Sequence, residues 1–152
     1  MTVEVPLSLP FGPCWELQEQ FVDSTTFLHA LPAAFPGATH LFVEGTSIEA
    51  DVVAIYSRHY DSSKYMPKAQ TLWSTGTITQ FSCAFSDALC NALAEASQFH
   101  AEPELFDHIF IYAGQDVLME WPDAFHNTMW ISKLVPEERV SSFAAALGLQ
   151  YK

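Results

Sequence analysis

Apolar residues recur along this chain with two different periods, and the switches between them lay out its elements. Residues 1–13 (MTVEVPLSLPFGP) hold Pro6, Pro10 and Pro13. Proline fixes φ and withholds a donor, so this stretch is expected to be extended, as an edge strand or an arm. The run WELQEQFV (15–22) alternates loosely and fits strand or helix equally. In DSTTFLHALPAAFPG (23–37), Phe27, Leu28 and Leu31 share a helical face. Asp23 or Ser24 can cap that helix, and Pro32, Pro36 and Gly37 are expected to end it. HLFVEG (40–45) is a short apolar run closed by glycine, the pattern of a buried strand. Thr46 and Glu49 have capping-box spacing, and Ile48, Val52, Val53, Ile55 and Tyr56 form a helical stripe reaching Tyr60.

Residues 61–76 are polar and aperiodic and read as a loop. TITQFSCAF (77–85) is β-branched and aromatic, hence a strand, and Ser86 caps a helix whose buried face is Leu89, Ala92, Leu93, Ala96 and Phe99. After a connection at 100–105, strands are expected at 107–114, 117–121 and 128–132, joined by tight turns at Gln115-Asp116 and at PDAFHN. Pro136, Glu137 and Glu138 open a last helix that faces inward through Val140, Phe143, Ala144 and Leu147 and stops at Gly148.

The order is therefore α-β-α-β-α-β-β-β-α, an α/β (α+β) single domain over 1–152. Strands separated by helices predict parallel crossovers and the last three an antiparallel meander, so the expected architecture is a mixed sheet of about five strands with helices packed on it.

Composition sharpens this. Hydrophobic residues make up 49% of the 152 and charged residues 16%, enough for a full core without staples. Eighteen acidic side chains face six basic ones, for a formal net charge of -12. No Lys or Arg precedes Arg58, and none lies between Lys68 and Lys133, where eight carboxylates occur: Asp87, Glu95, Glu102, Glu104, Asp107, Asp116, Glu120 and Asp123. Such a surface repels phosphate backbones and anionic headgroups, which argues against nucleic acid and membrane as partners and for a basic protein or a cation. Acidity kept only for solubility is the plain alternative. No run approaches a membrane span, the N-terminus has no signal-peptide pattern, and three unpaired cysteines in no CxxC spacing suit a reducing cytoplasm.

No nucleophile elbow, P-loop, dinucleotide fingerprint, HExxH or EF-hand loop occurs, and six scattered glycines build no phosphate cradle. No cofactor is implied. Three stretches carry chemistry-bearing side chains. HAEPELFDH offers His100, Glu102, Glu104, Asp107 and His108 as metal-type ligands, although Pro103 breaks any regular face, and a solvated connection explains it more simply. EGTSIE sets Glu44 and Glu49 around a helix start, where a capped strand-to-helix turn is the simpler reading. EWPDAFHN sets Asp123 and His126 in one turn; they suit a general acid–base pair or an ordinary hairpin connection in which Asp123 bonds its own backbone amides and Trp121 and Phe125 lean on the core.

Two functions are weighed on these grounds. The first is a non-catalytic acidic interaction module for a basic protein, contacting it through Glu102, Glu104, Asp107, Asp116, Glu120, Asp123 and Trp121. In composition, and through no motif, the chain resembles small acidic immunity or inhibitor proteins that neutralise toxins. The alternative is a small hydrolase or metal-dependent enzyme built on Glu44, Glu49, Asp123 and His126, with or without His100 and His108. A homo-oligomer is compatible with either.

Overall fold

Six short runs, most of them carrying β-branched and aromatic residues, form one sheet, and the amphipathic stretches between them form helices that cover one of its faces. The computed structural model describes residues 9–18, 22–61 and 79–152. The strands are β1 (Cys14–Leu17), β2 (His40–Gly45), β3 (Thr79–Ala84), β4 (His108–Ala113), β5 (Asp116–Trp121) and β6 (Met129–Ser132). The helices are α1 (Ser24–Ala34), α2 (Ala50–Arg58), α3 (Asp87–Ser97) and α4 (Glu137–Leu147). The expected arm at residues 1–13 and loop at 61–76 fall largely outside the described residues; of the arm, Leu9–Phe11 form a single 3₁₀ turn.

The sheet order is β1-β6-β5-β4-β2-β3, and every neighbouring pair is antiparallel. The fold is thus α+β, with an antiparallel sheet rather than the mixed one expected. The parallel reading fails because β3 starts beside the end of β2, with Thr79 opposite Gly45. Part of its logic survives. β3 and β4 are each antiparallel to β2, so they run the same way, with α3 as the crossover between them and β2 inserted in the middle. The added sixth strand is β1, cut from a run whose alternation was too loose to assign.

Alternation decides the faces. Leu41, Val43, Ile109, Ile111, Met119, Trp121 and Ile131 point to the side where all four helices bury their apolar stripes, and together they form the main core. Phe42, Phe110, Tyr112 and Val117 form a smaller cluster on the opposite face. A bulge between Ile111 and Tyr112 brings Val117 opposite Tyr112. That second face also carries the buried polar groups Glu44, His108 and Glu120. Both sheet edges are blunted. Glu16 and Lys152 exchange backbone bonds of 2.9 and 3.0 Å along β1, and His59 and Asp61 bond the outer side of β3 at Ala84 and Ser82.

Local signals explain the helix starts. Asp23 accepts the Thr26 amide at 2.9 Å, and Ser86 accepts the Leu89 amide at 3.0 Å. Gly148 closes α4 at φ 70, where only glycine is free of strain. Three expectations need correcting. The Thr46–Glu49 capping box does not form: α2 starts at Ala50 behind Glu49, which makes no side-chain cap, and Thr46 turns instead to Asp107. Helix α1 runs through Pro32 and ends at Ala34 just before Pro36, so of its expected stops Pro32 is not one. Phe99 lies beyond the end of α3 and is 82% exposed, so it is not part of the buried face.

Candidate functional site

Two of the buried polar groups, Glu44 and His108, come together where β2 ends and β4 begins. Glu44 stands opposite His108 in the ladder and opposite Gln80 on the other side, so all three share the face turned away from the helices. Glu44 is fully buried and accepts a bond from Gln80 Nε2 at 3.1 Å. His108 Nε2 lies 3.9 Å from Glu44 Oε1. At its other nitrogen, His108 Nδ1 accepts the backbone N–H of Asp123 at 2.7 Å. A ring nitrogen that accepts carries no proton, so the neutral ring is protonated on Nε2, the side facing Glu44. Burial pushes the His108 pKa below its ordinary value, although Glu44, Asp123 and Asp107 all pull the other way.

The turn after β5 is docked onto this pair. Ala124 N donates to Asp107 O at 2.7 Å, beside the Asp123 bond to His108. Asp123 and Phe125 adopt φ of 51 and 73. Left-handed backbone costs a residue with a Cβ about 1 kcal/mol or more, so the turn persists because its surroundings hold it. Phe125 supplies part of that hold, packing at 4.7 Å from Trp121 and 5.5 Å from Phe106 between ring centroids. Across the same end, Asp107 Oδ2 accepts the Thr46 amide at 3.1 Å, and Asp107 N donates to Glu44 O. Gly45 leaves room for the Ile48 side chain, since a Cβ there would stand 2.8 Å from Ile48 Cγ1.

Outside this buried centre lies a carboxylate rim. His100 Nε2 meets Asp51 at 2.7 Å and its Nδ1 lies 3.7 Å from Glu104. His126 lies 3.9 Å from Glu102. The Glu49 amide donates to Glu104 O, which ties the start of α2 to the connection before β4. The hydrogen bond between them holds the Asp51 carboxyl below its ordinary range and raises His100, with charge attraction adding to both shifts. The basic residues that the structure describes stand elsewhere. Lys133 lies 3.0 Å over the Trp15 ring, Lys152 faces Glu16, and Arg139 donates to Ala33 O. Arg58 ends α2, a helix of 9 residues whose start is at the rim.

The residues singled out from the sequence thus separate. Glu102, Glu104, Asp107 and Asp123 gather at the Gly45 end with Glu44, Glu49, His100, His108 and His126; of the segments 44–49 and 120–126, each is tied to Asp107 and His108, which stand between them. Asp116 opens β5 and stands at the opposite end of the sheet. Glu120 and Trp121 turn inward and leave the set a partner could touch. Glu120 accepts the Leu9 amide at 3.2 Å, and Trp121 Nε1 donates to Asn127 O at 2.9 Å. Among the described residues no three His, Cys, Asp or Glu side chains are arranged to hold a metal. The His126 ring stands beside Glu102 and is 72% exposed, so its nearest carboxylate is not that of Asp123. Burial pushes the Cys83 and Cys90 thiols up to about 12, which leaves them protonated and unreactive.

Two features were not visible in the sequence. One is Asp51, an unremarkable helix residue that becomes the His100 partner. The other is a Thr39–His40–Asp61 chain at the far end of the sheet, with contacts of 2.9 and 2.8 Å. Its connectivity is that of a hydroxyl–imidazole–carboxylate relay. However, Thr39 Oγ1 also accepts Gly114 N at 2.8 Å and faces Tyr112 O at 3.3 Å, which makes it a clasp for the β4–β5 hairpin. Grooves of about 510 Å³ between α1 and α4 and about 410 Å³ between α2 and α3 lie away from both clusters.

Comparison with protein-family models, curated proteins and solved structures finds no match to this chain.

Proposed function

We propose that this protein is a non-catalytic acidic interaction module that binds a basic protein through the rim at the Gly45 end of its sheet, and that it neutralises that partner by occupying its cationic surface in a reducing cytoplasm. The observation that carries this reading is the segregation of charge. Glu49, Asp51, Glu102, Glu104, Asp107 and Asp123 sit on three neighbouring segments tied by backbone bonds, while the described Lys and Arg residues stand at other places. A one-signed patch of this kind speeds encounter with a cationic surface and rejects acidic competitors. The rim is also rigidly presented, because Asp107 and Glu104 each fix a neighbouring backbone amide. No helix among the described residues is long and apolar enough to cross a membrane, which suits a protein partner better than a bilayer.

The test is capture from an extract of the native host with the tagged full chain, at low and at high salt. A chain carrying Glu102→Gln, Glu104→Gln and Asp123→Asn is run beside it, with Asp116→Asn as the control at the far end of the sheet. The expected result is a basic protein held by the wild type and by the Asp116 variant, released by salt and not held by the triple variant. A partner that is neutral or acidic, or one indifferent to both salt and substitution, overturns the reading.

A second reading, acid–base hydrolysis on Glu44, Glu49, Asp123 and His126, draws on the anchoring of their segments to the same Asp107–His108 pair. It expects hydrolysis of an activated ester such as p-nitrophenyl acetate that His126→Ala abolishes. An unchanged rate in that variant removes it.

A further inference from the structure

We infer that His108 is a proton-operated latch for the 122–126 turn: the neutral ring holds the turn by accepting the Asp123 N–H, and the protonated ring releases it.

The geometry leaves the ring one way to hold that bond. Nδ1 stands 2.7 Å from the Asp123 nitrogen, and the amide is the donor. Protonation puts a second hydrogen on the ring, at Nδ1, between two groups that both donate. The bond is then lost, and two N–H groups oppose each other at contact distance. The turn stores strain that this bond offsets, since Asp123 and Phe125 both hold left-handed backbone without being glycine. The second amide docked here, Ala124 N on Asp107 O, belongs to the next residue and shares the same placement.

The surroundings set where the latch titrates. Among the described residues the ring faces Glu44 from β2, with Gln80 of β3 bonded to that carboxylate, Asp107 at the foot of β4 and Asp123 on the turn itself. Three carboxylates favour the proton and burial opposes it, and burial prevails. Release therefore belongs to conditions more acidic than an ordinary histidine would need, and the turn is held at neutral pH. Freed, it would carry Asp123 and His126 out of register with Glu102. That consequence for partner binding rests on the interaction reading above. The latch itself does not, and the experiment reads the turn alone.

The test is amide exchange and NMR titration of the full chain, with His108→Asn beside the wild type. Asparagine Oδ1 stands where Nδ1 stands, accepts the same N–H and has no proton to gain. In the wild type, protection of the Asp123 and Ala124 amides is expected to fall about tenfold, the worth of one neutral hydrogen bond, as pH drops through the midpoint of the His108 ring. In His108→Asn it is expected to stay level over the same range. Should that variant not fold, the wild type alone decides: the Asp123 amide shift must titrate with the His108 ring's own midpoint. Protection that stays constant through the ring's titration, an amide shift with a different midpoint, or equal loss in His108→Asn overturns the latch.

Discussion

At the scale of single residues, the histidines give this protein two opposed pH dependences. The folded pKa of His108 lies below the ordinary 6.5. Between those two values the unfolded chain binds more proton than the folded one, so stability rises with pH. The His108 contribution is complete above 6.5 and is lost as pH falls from there toward the folded value. His100 has the reverse sign, because the Asp51 hydrogen bond raises it. Its contribution is complete below 6.5 and is lost as pH rises through the folded value. Asp51 is 63% exposed, so salt screens that pair, and the His108 arm is expected to dominate. Thermal melts across this range should show stability climbing with pH in the wild type and less steeply in His108→Asn; equal slopes would contradict the assignment. Glu120 offers a second check. Its buried carboxylate takes the Leu9 amide, so Glu120→Ala strands a donor and opens a gap, and urea unfolding is expected to show a loss of about 2 kcal/mol. The sequence marked His108, Glu44 and Asp123 as chemistry-bearing groups. It could not show that a strand register and a turn 15 residues away would join them, because that junction is non-local.

At the scale of elements, the caps at Asp23, Ser86 and Gly148 are legible in the sequence, and the start of α2 and the end of α3 are not. Ser86 and Asp23 act on amides three residues ahead, so their roles depend on spacing alone. Ser86→Ala is expected to cost about 1 kcal/mol in a denaturation curve, the ordinary value of an N-cap. Thr46 had the same local credentials, but a carboxylate 61 residues away outbid its capping role, as Asp107 took its amide. Phe99 extended a helical stripe on paper, whereas α3 stops at Ser97 and leaves the ring in solvent. Phe99→Ser is therefore expected to change stability by no more than about 0.5 kcal/mol, where a core position would lose several. Strand direction is not legible in the sequence for a related reason. Periodicity identifies strands and the face each buries, but it does not say at which end of β2 the chain re-enters the sheet.

At the scale of the whole molecule, the gathering of carboxylates at one end is a cost as well as a device. Six acidic side chains around the Gly45 end repel one another, and that repulsion acts in the folded state, where the backbone ties hold their segments together. If acidity served only solubility, charges spread evenly over the surface would serve equally well at lower cost. Concentration at one end points to a contact that compensates it. Two substitutions separate the cases without disturbing the hydrogen bonds described above. Glu49 makes no side-chain cap, and Asp123 takes part in the latch through its backbone, in a conformation that asparagine tolerates as well. The pair Glu49→Gln with Asp123→Asn is expected to raise the melting temperature by a few degrees at low salt, with the gain shrinking as salt screens the wild-type repulsion. If the proposed basic partner binds this rim, the same pair is expected to weaken that binding. Greater stability with poorer binding is what a patch maintained against its own repulsion must show. If the pair leaves both stability and binding unchanged, the clustering has no energetic consequence, and the acidic rim is only a soluble surface.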